Sequence, residues 1–299
     1  MQYVNANGVT LCYHVDGSPT DTPLLLIMGL GMQLTAWPLP LVEMLVQQGF
    51  YVIRLDNRDC GLSSKMGHLG KPNIPLAIIK TMLRMRLKSG YHLRDMALDA
   101  IAVLDAVGVA KAHVVGASMG GMIAQILAAE FPQRVASLTS IMSTSGRRGL
   151  PGPTRAARKV IMQRPSAPYQ QEQIIAQFLR IFEVIGSPAY PTPESHLRQR
   201  IALSMARSFY PEVTTRQMLA IAASGSRSRL LKKITAPSLI IHGDADPLVP
   251  LACGEDTANC IVGSQLRVIP GMAHDLPLQL LPKIGKMIVN HCRGEAIPH

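Results

Sequence analysis

Residues 112–121, Ala-His-Val-Val-Gly-Ala-Ser-Met-Gly-Gly, restrict what this chain can fold into more than any other stretch. They contain Gly116-Ala117-Ser118-Met119-Gly120, a G-x-S-x-G pentapeptide whose meaning depends on its flanks. Upstream, His113-Val114-Val115 is a short β-branched run bounded by glycine, the pattern of a buried strand. Downstream, Met122, Ile123, Ile126, Leu127 and Phe131 fall at helical spacing before Pro132, which predicts a helix. A sharp strand-to-helix turn forces its serine into a strained backbone conformation, and glycines two residues either side let neighbouring backbone approach closely. Ser118 Oγ then stands at a helix N-terminus, where peptide N–H groups favour developing negative charge. A glycine-rich turn with an incidental serine is the competing reading; the flanking strand and helix, and the partners found downstream, favour a nucleophile.

The rest of the chain repeats the strand-helix rhythm. Leu24 to Met28 is an unbroken apolar run ending at Gly29-Leu30-Gly31, as expected of a central parallel strand buried on both faces. A helix is predicted from Ala36 or Trp37 to Gln48, a strand over 51–56, a helix over 93–107, and strands over 112–117 and 136–142. After an interruption the alternation resumes: strand 238–242, helix 251–260, strand 265–269 and a last helix over 276–292. Alternation of this kind implies an α/β fold, a mostly parallel central sheet with helices on both faces and ligands at the carboxyl ends of its strands. The interruption, 147–233, carries prolines at 151, 153, 165, 168, 188, 191, 193 and 211 between helical patches at 173–185 and 196–209. We expect 1–146 and 234–299 to form one core and 147–233 to be a helical cap inserted in it.

Charge is unevenly placed. The net charge is +11, and 147–233 holds fifteen Lys/Arg against four Glu, so the remainder is balanced. No nucleic-acid recognition motif accompanies these cations, which read as a solvated face. A second basic stretch, 65–90, has the core IPLAIIKTMLRMRLK. A short amphipathic helix packed over the sheet edge is the favoured reading there, ahead of one lying on a membrane surface. No apolar run reaches the length of a transmembrane helix, and the first residues show no basic region followed by an apolar stretch. Five scattered cysteines without a C-x-x-C pair suggest reduced thiols in the cytoplasm; Cys253 and Cys260, two helical turns apart, are too distant for a disulfide.

A serine hydroxyl needs a base in hydrogen-bond reach, itself oriented by a third group. Both are available after Ser118: the stretch from His242 to Pro250, HGDADPLVP, places Asp244 and Asp246 just past a strand, and Pro270-Gly271-Met272-Ala273-His274 places a histidine past the final strand. The order nucleophile, acid, histidine, with G-x-S-x-G, H-G-D-x-D-x-x-V-P and G-x-x-H, resembles the α/β-hydrolases. Within that superfamily, the DNRDCGLSS turn at 56–64 and the strand-Met-Gly start are most similar to bacterial carboxylesterases of the aclacinomycin-methylesterase kind. The resemblance implies Ser118 as nucleophile, His274 as base and then acid, and Asp246 as the orienting acid, aligned in preference to Asp244. It implies an oxyanion hole from the Leu30 and Met119 backbone N–H groups, with Met28 where many relatives carry histidine. His242 and His113 read as packed core residues, His291 and His299 as terminal ones. Asp56 and Arg58 read as a structural turn pair, and Trp37 as packing for the oxyanion loop.

A serine in the elbow argues against haloalkane dehalogenase and epoxide hydrolase chemistry, in which related enzymes attack with a carboxylate. Hydrolysis of a small-molecule carboxylic ester through an acyl-enzyme is the leading reading. Perhydrolase (cofactor-free haloperoxidase) and C–C bond hydrolase activities use the same triad and remain open, as does a receptor-like binding role. No metal ligand set and no cofactor fingerprint are visible, so none is expected. Apolar patches at Ile174, Ile175, Phe178, Leu179, Ile181 and Phe182, and at Leu203, Met205 and Phe209, suggest cap helices with one face to the site, favouring apolar acyl chains.

Overall fold

The computed structural model describes residues 1–83, 85–163 and 169–298. In chain order the elements are β1 (Gln2–Ala6), β2 (Val9–Asp16), β3 (Thr22–Ile27), α1 (Leu39–Gln47), β4 (Phe50–Leu55), α2 (Ile74–Met82), α3 (Leu93–Ala106), β5 (Ala112–Ala117), α4 (Met119–Glu130) and β6 (Val135–Ile141). They continue as α5 (Arg155–Met162), α6 (Gln171–Ile185), α7 (Glu194–Arg207), α8 (Val213–Ser224), α9 (Ser228–Leu231), β7 (Ser238–Gly243), α10 (Leu251–Cys260), β8 (Gln265–Ile269) and α11 (Leu281–Arg293). Pro165 and Pro168, counted above among the breaks of the insertion, and His299 lie outside the described residues.

The eight strands form one sheet in the order β1-β2-β4-β3-β5-β6-β7-β8. Among the described residues only β1 with β2 and β2 with β4 run antiparallel; every pairing from β4 to β8 is parallel. The unbroken apolar run of β3 explains its central place. Leu25 and Ile27 join one buried cluster with α3 and α4 side chains such as Val103 and Ile123, while Leu24 and Leu26 join the other with Leu41, Leu45, Ile284 and Ile288 of α1 and α11. Alternate side chains of a strand point to opposite faces, so a strand covered on both must be apolar throughout.

Helix starts moved where proline intervenes. Pro38 delays α1, and the residues before it form a 3₁₀ turn, Leu34–Ala36. Near the C-terminus a second such turn, Leu278–Leu280, follows Pro277, so α11 begins at Leu281 and not at 276. Proline fixes φ and lacks an N–H, which suits it to a first helical turn but not to an interior.

The helices α5–α9 lie between β6 and β7, and most described cations of 147–233 are exposed, as a solvated face requires, but Arg207, Arg216 and Arg227 turn inward. Arg207 pairs with Asp56 at 2.8 Å, and Arg216 grips Asp59 with two nitrogens at 2.6 and 3.0 Å. Arg227, buried between Gln125 and the carbonyl of Thr144, has its pKa lowered by desolvation to about 10. Asp56 and Arg58 do not pair with each other: Arg58 bonds both oxygens of Asp99, at 2.6 and 2.7 Å. Leu203, expected to face inward, is 64% exposed. Ala220, Leu231 and Ile234 pack into the same cluster as α3 and α4, so the end of the insertion is continuous with the core.

Candidate active site

Ser118 sits between β5 and α4 with φ 55° and ψ −119°, a left-handed-side conformation that a non-glycine residue adopts only under constraint. Two glycines make the turn sterically feasible. A Cβ on Gly116 would lie 2.2 Å from the Gly120 carbonyl oxygen, and one on Gly120 would lie 2.0 Å from that of Ile27. The turn is also tied down: the Ser118 N–H donates to Ile141 O at 2.9 Å, and Ser143 Oγ donates to Ser118 O at 2.8 Å.

The loops after β7 and β8 bring an acid and a histidine to this serine. His274 Nδ1 donates to Asp246 Oδ2 at 2.7 Å, which leaves Nε2 as the acceptor for the Ser118 hydroxyl at 3.0 Å. Asp246 is fully enclosed as a side chain, and its other oxygen accepts the N–H groups of Leu248 and Val249, both at 2.8 Å. Both oxygens are therefore engaged, which holds the carboxylate in position. Asp244 goes elsewhere. It is exposed and accepts the Gly271 N–H at 2.6 Å, bracing the turn that carries His274.

His242 is completely buried in β7; its Nε2 donates to Val249 O at 2.7 Å, and desolvation lowers its pKa, so it is a neutral packed residue beside Asp246. His113 and His291 are likewise held inside, bonded to Ser137 Oγ and Leu138 O, with burial lowering both pKa values. Trp37 is 1% exposed and packs with α1 and α11. No group of three or more His, Cys, Asp or Glu arranged to hold a metal occurs among the described residues.

The loop after β3 runs alongside the serine: a Cβ on Gly29 would lie 3.1 Å from Ser118 Cβ. The N–H of Leu30 makes no hydrogen bond among the described residues, and that of Met119 opens α4, where a helix has no internal partner to offer. This loop is held by Gln217 and Gln33, which no motif singled out, and by Asp56 and Asn57 of the 56–64 turn. Gln217, completely buried on α8, accepts the Gly31 N–H at 2.7 Å and donates to Arg58 O at 3.1 Å. Gln33 donates to the carbonyls of Ser204 and Ser208 and accepts from Arg207, while Asp56 accepts the Leu34 N–H at 2.7 Å. Asn57 donates to Met28 O at 2.9 Å. On the other side, the His274 N–H donates to Ile185 O at the end of α6, and Ser187 bonds both Asp275 and the Ala273 N–H. Insertion and core thus share the hydrogen bonds of both loops flanking Ser118.

Residues 22–279 match the family described as the alpha/beta hydrolase fold. This chain belongs to that family. It is similar to the rhodomycin D methylesterase DauP of a Streptomyces species, 28% identical with 98% of each chain covered. It is equally similar to DnrP, a rhodomycin D methylesterase of Streptomyces peucetius, 28% identical with 97% of each covered. Among solved structures, the meta-cleavage product hydrolase CumD of Pseudomonas fluorescens IP01 superposes with a TM-score of 0.76 at 20% identity, covering 98% of both chains. An esterase of Exiguobacterium antarcticum superposes with a TM-score of 0.74 at 21% identity. What these two structures share with this chain is the fold.

Proposed function

We propose that this α/β-hydrolase cleaves carboxylic esters of small molecules through an acyl-enzyme, with Ser118 as nucleophile, His274 as general base and acid, and Asp246 as orienting acid. The observation that carries the proposal is the unbroken hydrogen-bonded chain Ser118 Oγ to His274 Nε2 and His274 Nδ1 to Asp246 Oδ2, at 3.0 and 2.7 Å. His274 takes the hydroxyl proton as Oγ attacks the ester carbonyl, and the imidazolium formed is stabilised by Asp246. The carbonyl oxygen becomes an oxyanion stabilised by the N–H groups of Leu30 and Met119, acting as an oxyanion hole. His274 then protonates the departing alkoxide, and the cycle repeats with water attacking the acyl-enzyme. The helices 147–233 act as a cap that excludes water and lines the acyl side, with Phe178, Leu179, Ile181 and Phe182 of α6 partly buried there.

The relatives named as methylesterases support a methyl ester as the substrate class. Hydrolysis of a panel of methyl esters, p-nitrophenyl esters and a β-diketone tests this directly. Turnover of the esters and none of the diketone is expected; cleavage of the diketone in preference to the esters would transfer the site to C–C bond hydrolysis.

A further inference from the structure

Between Cys60 and Arg94 the chain has no acidic residue and seven Lys/Arg: Lys65, Lys71, Lys80, Arg84, Arg86, Lys88 and Arg94. The helix α2 lies in the middle of this run, with Ile74 buried at its first residue and Leu87 buried five residues past its end. Apart from Ile74, its described large apolar side chains form a stripe that faces solvent. Leu76, Ile79 and Leu83, spaced i, i+3 and i+7, are 44%, 52% and 65% exposed. The Leu83 N–H bonds Ile79 O at 2.9 Å, so the helical repeat that aligns the three extends past the last residue of α2. Leu69 and Met85 are exposed too, and exposed Arg86 and Lys88 follow within five residues of Leu83 in the sequence. Lys71 has one acidic neighbour from the insertion, Glu212, at 3.5 Å.

An outward apolar stripe bordered by cations needs an occupant that is apolar beneath and negative at its rim. We propose that this segment docks the protein on an anionic lipid surface, with Leu76, Ile79 and Leu83 entering the headgroup boundary and the flanking Arg and Lys side chains meeting lipid phosphates. Interfacial helices bind by this combination of buried apolar area and attraction to anionic lipid. A second copy of the chain fits less well, because a two-fold interface would set one acid-free basic run against another. The proposal is independent of the chemistry assigned to Ser118, since none of these side chains belongs to that site.

Co-sedimentation of the full chain with vesicles tests it. Vesicles of equal parts phosphatidylglycerol and phosphatidylcholine should carry the protein down at low salt, whereas pure phosphatidylcholine should retain far less. Adding salt should weaken but not abolish binding, since screening acts on the charges and not on the apolar contact. The triple variant Leu76→Ser, Ile79→Ser, Leu83→Ser should lose on the order of a hundredfold in partitioning, from roughly fivefold per half-buried side chain. Arg86→Ala with Lys88→Ala should lose about fivefold per charge on the anionic vesicles only. Thermal melting and hydrolysis of a soluble short-chain ester should be unchanged within about twofold in both variants; if the triple variant melts early, Leu83→Ser alone and the charge pair decide. Failure of the wild type to sediment with anionic vesicles, or equal binding by all variants, would overturn the proposal. So would a wild-type dimer in ultracentrifugation that the triple variant converts to monomer without any vesicle binding, which would assign the stripe to a second copy.

Discussion

Replacing Gln217 by methionine keeps the shape of the side chain and removes both of its hydrogen bonds. Gln217 is completely buried, and its loss leaves the Gly31 N–H and the Arg58 carbonyl without the partners they hold at 2.7 and 3.1 Å. An orphaned buried polar group costs about 1–3 kcal/mol, so the fold should lose roughly 2–6 kcal/mol for the two, seen as a fall in Tm of about 1–2 °C per kcal/mol. The kinetic effect is separate. Gly31 follows Leu30, whose N–H is proposed as an oxyanion donor, and removing such a donor outright costs ~10²–10³ in kcat. A donor displaced by its unanchored neighbour should cost part of that, so we expect kcat to fall about 10–100-fold with KM within about threefold. Steady-state kinetics on a methyl ester, with calorimetric melting of the same preparation, separate the two effects. Gln217→Glu supplies the control, because a carboxylate oxygen still accepts the Gly31 N–H while the donor to Arg58 O is gone; it should retain more kcat than the methionine variant. Normal kcat in Gln217→Met together with a lowered Tm would show that the loop holds its geometry unaided and would refute the argument.

Asp246→Asn should lower kcat by ~10⁴, the loss expected when the imidazole is left in the wrong tautomer, and Asp244→Asn only severalfold, because Asp244 merely braces the Gly271 turn; the reverse order would move the orienting role to Asp244. Arg216→Met should destabilise by about 3–5 kcal/mol, since it strands the enclosed Asp59 carboxylate, and urea unfolding would measure it. His113, whose pKa is lowered by burial from 6.5 to about 4, binds its proton more readily unfolded than folded, so its contribution to stability is present above pH 6.5 and is lost as pH falls toward 4. Discounted for the partial exposure of the ring, that shift corresponds to on the order of 1–2 kcal/mol, and calorimetry across this range should show a shallower pH slope in His113→Gln than in the wild type. An unchanged slope would assign the acid sensitivity to other groups.

Local signals carried the elements that the sequence displayed well. The strand 112–117, the helix 251–260 and the strand 265–269 begin and end in the structure where apolar spacing and turn residues placed them. The helix starts at 39 and 281 were less legible, because Trp37 and Leu276 look helical by composition and only the following prolines decide where hydrogen bonding begins. The motifs named Ser118, Asp246 and His274, and these three are adjacent in space. What no window revealed was how the insertion grips the core. Arg207, Arg216 and Arg227 read as solvated cations because their partners, Asp56, Asp59 and Gln125, lie more than a hundred residues away. Gln217 gave no signal either, since a lone amide on a helix acquires meaning only from the Gly31 and Arg58 backbone that tertiary packing brings to it. The segment 65–90 was ambiguous for a different reason. Spacing shows that Leu76, Ile79 and Leu83 share a face, but not whether that face meets protein or solvent.

In the proposed mechanism Ser118 attacks the substrate and carries the acyl group. Incubating the protein with a fluorophosphonate, digesting it and mapping the adduct by mass spectrometry tests this most directly. One adduct per chain, on Ser118, is expected, with ester turnover lost in proportion to labelling and with no labelling of Ser118→Ala or of a His274→Ala variant on the same time scale. Turnover that persists after Ser118 is fully modified, or inactivation that maps to another residue, would contradict the account.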